Sequence, residues 1–336
     1  MANWYDLNCG LLRIDAEDAS LEEPLAVYIE ELRTAKRAEA PAFTFELARG
    51  VPATPPAGAK VLFEGPVPEA DICQLSDHAG SRWFYIPDQV SLEYSVAERK
   101  ARIITAPGNE RLTGGTAAIH AIYAALYATG QALVHAAALR LPQRDESLIL
   151  FAPSGAGKTT TALALALQGF GLLTDDAAVV RQTAEARNET LVWGLPRPPK
   201  IHQRTAEMLP AIGGLLNSKW NSEGEQSVAK DVLKSVIEFI PGHQFPLTAL
   251  VLLGKRVTGP HRLTPMRKAE LLIRFATDNV SRSPLGVMSD DLERFQRFVR
   301  LVAKTPAYEL NVGSDLSTLG ETIAAGLTAD QAILSA

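Results

Sequence analysis

Cysteine is nearly absent from this chain of 336 residues: only Cys9 and Cys73 occur. Two thiols cannot build a disulfide framework, and no Cys-x-x-Cys pair offers a metal or redox site. The simplest state is two reduced thiols in a cytosolic protein. Long hydrophobic runs are missing as well. No apolar stretch reaches the roughly 18 residues that a bilayer span requires. The opening Met1-Ala2-Asn3-Trp4-Tyr5-Asp6 lacks the basic and apolar segments of a secretory signal. A cytoplasmic location without a membrane partner is expected. Nor is there an excess of positive charge: 33 Lys and Arg stand against 38 Asp and Glu, a formal net charge of −5. That balance leaves no broad basic face for nucleic acid, so no such partner is expected. What remains is an ordinary globular composition, 46% hydrophobic and 21% charged. A chain of this size can bury a substantial core, in two domains or one domain with an extension. Homo-oligomerisation is left open.

The first third reads as a β-rich module. Leu21, Leu25, Ile29 and Leu32 have helical spacing, which predicts a helix over 21–38. Short strand-like runs follow at Phe43–Ala48, Lys60–Gly65, Arg82–Ile86, Leu92–Val96 and Arg102–Thr105, separated by turn chemistry such as 52–58. Near Gly114-Gly115 the rhythm changes, which places a domain border between 112 and 113. An Ala-rich helix, Thr116–Thr129, stops at Gly130. Ala132–Leu139 and Ser147–Phe151 read as strands, Thr159–Gln168 as a helix, and Gly171–Val180 as a strand interrupted by Asp175-Asp176. Leu247–Leu253 is a further apolar strand. Helix 290–303 carries Leu292, Phe295, Val299 and Val302 on one face, with Arg294, Arg297 and Arg300 as its solvated side. Segment 196–230 reads as a mobile loop. The division is a β-rich N-terminal module, 1–112, and an α/β domain, 113–336, that opens as a nucleotide-binding core does: strand, Gly-rich loop, helix, strand.

The loop carries the sharpest signal. Ala152-Pro153-Ser154-Gly155-Ala156-Gly157-Lys158-Thr159 fits the P-loop pattern with Ala in the first position. Gly155 and Gly157 let the backbone curl so that successive N–H groups face a phosphate. The helix after the loop offers its positive end to the same anion. Lys158 brings a full charge to the β- and γ-phosphates, and the Thr159 hydroxyl can ligate Mg²⁺. Pro153, Ser154, Gly155, Ala156, Gly157, Lys158, Thr159 and Thr160 are therefore the expected nucleoside-triphosphate contacts. No Asn-Lys-x-Asp guanine reader and no Leu-Ser-Gly-Gly-Gln signature is present, which disfavours a GTPase and an ABC ATPase.

Asp175 and Asp176 end an apolar run beside the loop's strand. One carboxylate can hold Mg²⁺ while the other takes the proton of an attacking hydroxyl. The alternative is a solvated acidic turn. Mutual repulsion can raise the pKa of one of them. His135 lies within Leu133–Leu139, where a satisfied core histidine competes with a place near the phosphate loop. His120 is given no role. Arg197 and Lys200 stand in Pro196-Arg197-Pro198-Pro199-Lys200, after the strand-like run Thr190–Trp193. Proline preorganises that segment. Its cations either meet the transferring phosphoryl or an acidic acceptor, or are solvated surface charges.

These features together resemble the HPr kinase/phosphorylase family, especially its short relatives that act as serine kinases in peptide-modifying gene clusters. The resemblance covers roughly 115–325. It rests on His135 ahead of the loop, on Ala152–Thr160, on the Ala/Leu-rich helix ending in Gly169, and on the seventeen positions from Lys158 to Asp175. Pro306-Ala307-Tyr308-Glu309-Leu310 followed by a helix adds to it. It implies a P-loop kinase core of the phosphoenolpyruvate-carboxykinase-like type, mostly antiparallel. It also implies Lys158 and Thr159 on triphosphate and Mg²⁺, Asp175 as general base toward a serine, Asp176 as a Mg²⁺ partner, and His135 near the transferred phosphate. The family's longer Arg-Gly-rich signature after the aspartates is not recognisable, and the N-terminal third does not look like the regulatory domain of the full-length enzymes. The resemblance therefore does not extend to HPr as substrate or to reverse phosphorolysis. The expected activity is an ATP- and Mg²⁺-dependent transfer to a serine or threonine hydroxyl of a peptide or small protein. A small-molecule kinase and a nucleotide-responsive binding protein are the alternatives.

Overall fold

The computed structural model describes residues 2–35, 39–153, 155–183, 189–280, 282–283, 286–287 and 289–334. Two compact units divide the chain: Met1–Leu133 with Val280–Arg294, and Val134–Asn279 with Phe295–Ala336.

Alternating burial builds the first unit. In Phe43–Arg49 the buried residues are Phe43, Phe45 and Leu47; in Lys100–Thr105 they are Ala101, Ile103 and Thr105. This period of two gives a strand one buried face. The strands are β1 (Ala2–Asp6), β2 (Leu11–Ala16), β3 (Arg33–Thr34), β4 (Phe43–Arg49), β5 (Lys60–Val67), β6 (Ala70–His78), β7 (Ser81–Ile86), β8 (Val90–Ser95) and β9 (Lys100–Thr105). They form a 9-stranded sheet in the order β3-β1-β2-β4-β9-β8-β7-β6-β5. The pairs β2–β4 and β4–β9 are parallel, the others antiparallel. Helix α1 (Ala19–Ala26) packs on β2 and β4, and α2 (Thr116–Ala128) on β4, β8 and β9.

The helix expected over 21–38 ends at Ala26 instead. Pro24 lies inside it and has no N–H to bond back. Leu25, Ile29 and Leu32 are nonetheless buried, through a turn and the 3₁₀ turn Glu30–Leu32. The chain then turns extended and β3 pairs with β1. Residues 36–38 lie outside the described residues.

From its boundary at Leu133 the chain contributes β10 (Ala132–Val134), β11 (Ala137–Arg140), β12 (Ser147–Phe151), α3 (Lys158–Ala166), β13 (Gly171–Thr174), β14 (Ala178–Gln182) and β15 (Thr190–Gly194). There follow β16 (Lys200–His202), α4 (Gln203–Met208), α5 (Pro210–Gly213), β17 (Glu225–Ser227), α6 (Lys230–Leu233), β18 (Phe245–Leu253), β19 (Arg262–Pro265) and α7 (Lys268–Asn279). The hairpin of β20 (Arg282–Ser283) and β21 (Gly286–Val287) and the start of α8 (Ser289–Leu301) belong to the first unit. β22 (Ala307–Asn311) and α9 (Leu319–Leu334) complete the second.

The main sheet of the second unit is also 9-stranded, in the order β10-β14-β15-β18-β12-β11-β13, with β22 on β18 and β19 on β22. Here β12–β18 and β18–β22 are parallel, while β11–β12, β11–β13, β14–β15, β15–β18 and β19–β22 are antiparallel. The protein is a mixed α/β structure with two large mixed sheets. Helix α3 is buried at every position from Thr160 to Ala166 and packs on β11, β12 and β13. It is a core helix, which explains why Ala and Leu occupy all its sides.

Three further expectations are corrected. Ala132–Leu139 is two strands: β11 pairs with β12 while β10 lies at the far end of the sheet order, and the chain breaks at His135–Ala136 to reach both. Segment 196–230, expected to be a mobile loop, contains α4, α5 and the antiparallel β16–β17 ribbon, and it gives Ile201, Leu209, Ile212 and Val228 to the core. In α8, Leu292 is exposed and the buried positions are Asp291, Phe298 and Leu301. Arg294 is not a solvated residue. It pairs with Asp291 and lies 4.1 Å over the ring of Tyr123, a cation–π contact that shields both. His120, on α2, packs beside Phe84 with ring centroids 5.7 Å apart. No disulfide joins the exposed Cys9 and the buried Cys73, and among the described residues no helix is long and apolar enough to cross a membrane.

The approach of β15 to β13 depends on a missing side chain. Where β15 ends, Gly194 passes so close to β13 that a Cβ would strike the Leu173 carbonyl and lie 2.7 Å from the Thr174 Cβ. The Leu173 carbonyl is backbone and cannot swing aside. Gly194→Ala is expected to destabilise the protein by about 1–3 kcal/mol, the usual cost of overpacking. Chemical unfolding would show this beside Val51→Ser, a change at a residue 90% exposed that should leave the midpoint unmoved.

Candidate functional site

β12 runs into the loop 152–157 and α3 leaves it. Gly155 and Gly157 have φ of +74° and +95°, a left-handed conformation that a side chain resists. Gly157 is the N-cap of α3 and no side chain caps the helix start. The first N–H groups of α3 therefore face an open space, where the helix end favours an anion. Ser154, expected among the phosphate contacts, lies outside the described residues. The Lys158 ammonium nitrogen is buried at the same place.

At the end of β13 the hydroxyl of Thr174 accepts hydrogen bonds from the backbone N–H groups of Asp176 (3.4 Å) and Ala177 (3.1 Å), which turns the chain and presents the acidic pair. Asp175 is only 4% exposed, so the reading of a solvated acidic turn does not hold for it. Thr159 Oγ1 donates to its Oδ2 at 3.3 Å. Asp176 is partly exposed, and its Oδ2 receives Arg197 Nη2 at 3.2 Å. Burial pushes the Asp175 carboxyl up to about 7, with the neighbouring charge of Asp176 as the second cause; Arg197 and Lys158 pull the other way. Repulsion within the pair is thus subordinate to desolvation.

These groups surround one cavity of about 820 Å³. Pro153, Gly155, Ala156, Gly157, Lys158, Thr159, Thr160, Asp175, Asp176, His135, Arg197 and Lys200 all line it. His135 stands exposed at the break between β10 and β11, its backbone N–H bonded to Asn279 Oδ1 at 2.8 Å. It is not an interior strand residue. Lys200 is exposed at the start of β16. The Thr160 hydroxyl bonds to that of Thr205 at 2.7 Å, which ties α3 to α4. Eight lining residues have no signal in the sequence: His202, Arg204, Thr205, Met208, Glu223, Glu225, Gly254 and Arg256. They come from the ribbon and the turn before β17, from α4 and from the loop after β18, and only the sheet order brings them here.

Among the described residues, no group of three or more His, Cys, Asp or Glu is placed to hold a metal by itself. Asp176 Oδ1 is nevertheless buried without a hydrogen-bond partner among the described residues, and the Thr159 hydroxyl and Asp175 lie beside it on the cavity wall. A small donor set of this kind fits Mg²⁺, which is normally bound by one or two carboxylates with water and substrate phosphates completing its shell. The open helix end, the glycine backbone and Lys158 fit a phosphate chain.

No family model and no curated protein matches the chain. Among solved structures, the chain is similar to one described as the Hpr(Ser) kinase/phosphatase from Coxiella burnetii, at 13% identity and a TM-score of 0.30, over 59% of this chain and 98% of that one. This is a weak, partial structural match, and a superposition of that quality assigns no activity.

The raised Asp175 carboxyl has a consequence for stability. Between its ordinary value, 3.8, and about 7, the folded protein keeps a proton that the unfolded chain has lost. Stability from this group is full below the ordinary value, declines as the pH rises, and levels off above the raised one. Asp175→Asn should flatten the decline of Tm between about pH 4 and pH 7. Thermal melts of both proteins across that range check this, and parallel curves would contradict it.

Proposed function

We propose that this protein is an ATP- and Mg²⁺-dependent phosphotransferase that phosphorylates a serine or threonine hydroxyl of a peptide or small protein. The observation that carries the reading is the meeting, in one cavity, of the glycine loop at the start of α3 with a buried carboxylate whose pKa is raised to about 7. A phosphate site alone fits hydrolysis or binding. A carboxylate poised near neutral pH beside it supplies what transfer to an alcohol needs, a base matched to the working pH. The acceptor class rests on the sequence resemblance to the HPr kinase/phosphorylase family.

In this reading Asp175 takes the proton of the acceptor hydroxyl as that oxygen bonds to the terminal phosphorus and ADP departs. Lys158 and the N–H groups of the loop hold the phosphate chain and stabilise the charge that develops on it. Arg197, held on Asp176, can reach the transferring group as a planar donor. Mg²⁺, held by Thr159 and Asp176 together with phosphate oxygens, would supply charge neutralisation on the triphosphate. His135 and Lys200, both exposed on the cavity wall, would stand near the transferred phosphate and the acceptor respectively.

Mass spectrometry of candidate peptides incubated with ATP and Mg²⁺ tests this. Phosphate on a hydroxyl of a polypeptide supports the proposal. Phosphate on a metabolite assigns a small-molecule kinase instead, and nucleotide binding without transfer assigns a binding protein. Lys158→Ala should lower turnover by about 10²–10³-fold, as loss of one preorganised charge donor does. Asp175→Asn should abolish transfer while calorimetry still detects ATP binding, because an amide cannot accept the proton. Arg197→Ala should lower kcat with acceptor KM held, as expected of a contact made in the transition state.

A further inference from the structure

Arg256 owes its place to the sheet, not to any motif. β12 and β18 are parallel neighbours, with Phe151 opposite Leu252, so both strands leave the sheet at the same end. One exit is the glycine loop. The other is Gly254-Lys255-Arg256, and it lines the same cavity through Gly254 and Arg256. The guanidinium of Arg256 comes back over the loop: its Nη2 lies 3.7 Å from where a Cβ on Gly157 would stand. The same nitrogen touches the Met208 sulfur on α4 at 3.8 Å. A thioether is a weak acceptor and carries no charge. Among the described residues no carboxylate lies within ion-pair distance of Arg256, whereas Arg197 in the same cavity is bound to Asp176. Arg256 is thus an exposed, un-neutralised cation beside the glycine loop at the open start of α3.

We propose that Arg256 binds the phosphate chain of the nucleotide from the side opposite α3, closing the loop's grip as an arginine supplied from within the same chain. This rests on the proposed role of 152–160 as a phosphate loop. A guanidinium suits the task because it presents paired donors to phosphate oxygens and stays charged throughout the working pH range. The methionine has a part in it. Its sulfur accepts from Nη2 and carries no charge, so it does not neutralise the guanidinium.

The test is isothermal titration of Mg²⁺–ATP and of inorganic tripolyphosphate into the full chain, with Arg256→Met, Arg256→Lys and Lys158→Ala. Arg256→Met keeps the stem's packing and removes the charge. It should weaken both ligands by about tenfold to a hundredfold, the usual worth of a charged hydrogen bond, with an unchanged melting temperature in the absence of ligand. Arg256→Lys should recover part of the loss for both. If wild type binds both and Lys158→Ala weakens them while Arg256→Met stays within about twofold of wild type, Arg256 is not a phosphate ligand and the proposal falls alone. If wild type binds neither, the phosphate-loop reading falls, and this one with it.

Discussion

A carboxylate kept from water needs compensation, and the arrangement around Asp175 is governed by that need. Asp175 is buried, and a second carboxylate follows it in the chain. The Thr159 hydroxyl, the Lys158 ammonium group and the Arg197 guanidinium converge on the pair, from α3 and from the turn after β15. The compensation is incomplete, since the carboxyl remains raised to about 7. A fully satisfied pair would be an inert structural feature. The shortfall raises the Asp175 pKa and leaves Asp176 Oδ1 without a hydrogen-bond partner among the described residues.

Getting Arg197 to that pair is a backbone problem. β13 and β14 lie near opposite ends of the sheet order, and β15 returns beside β14. The chain can bring Pro196-Arg197 back to the end of β13 because Gly194 slips beneath Leu173. Leu195 then donates to Ala177 at 3.1 Å and Arg197 to Leu195 at 2.8 Å, which fixes the turn. Stability and chemistry meet here in a residue that has no side chain to take part in either.

Much of this was readable from the sequence, unevenly. The strand Ser147–Phe151, the glycine loop and the helix after it are local features, each written in a few adjacent residues, and they stand where periodicity and turn chemistry put them. The β4, β8 and β9 segments, with alternating burial, are similarly legible. Tertiary contacts hid the rest. Leu25, Ile29 and Leu32 have helical spacing and are buried, yet Pro24 and the edge pairing of β3 prevail over the helix. The break at His135 arises because two distant strands claim the residues on either side. Arg204 and Arg256 sit in no pattern, and reach the cavity only through α4 and the parallel pairing of β18. Arg294 has the spacing of a solvated arginine, and only the fold places it over Tyr123.

The first unit is not continuous in the chain. Residues 1–133 make nearly all of it, and 280–294 return to finish it. During synthesis at about 5–20 residues per second, the interval between those two segments is on the order of 10 seconds. Local elements form far faster than that. The sheet and α2 therefore have time to form with the ring of Tyr123 uncovered, before Arg294 is made. A newborn chain must keep that patch from other apolar surfaces in the meantime. The order in which this protein is made thus differs from the order in which its parts can be closed.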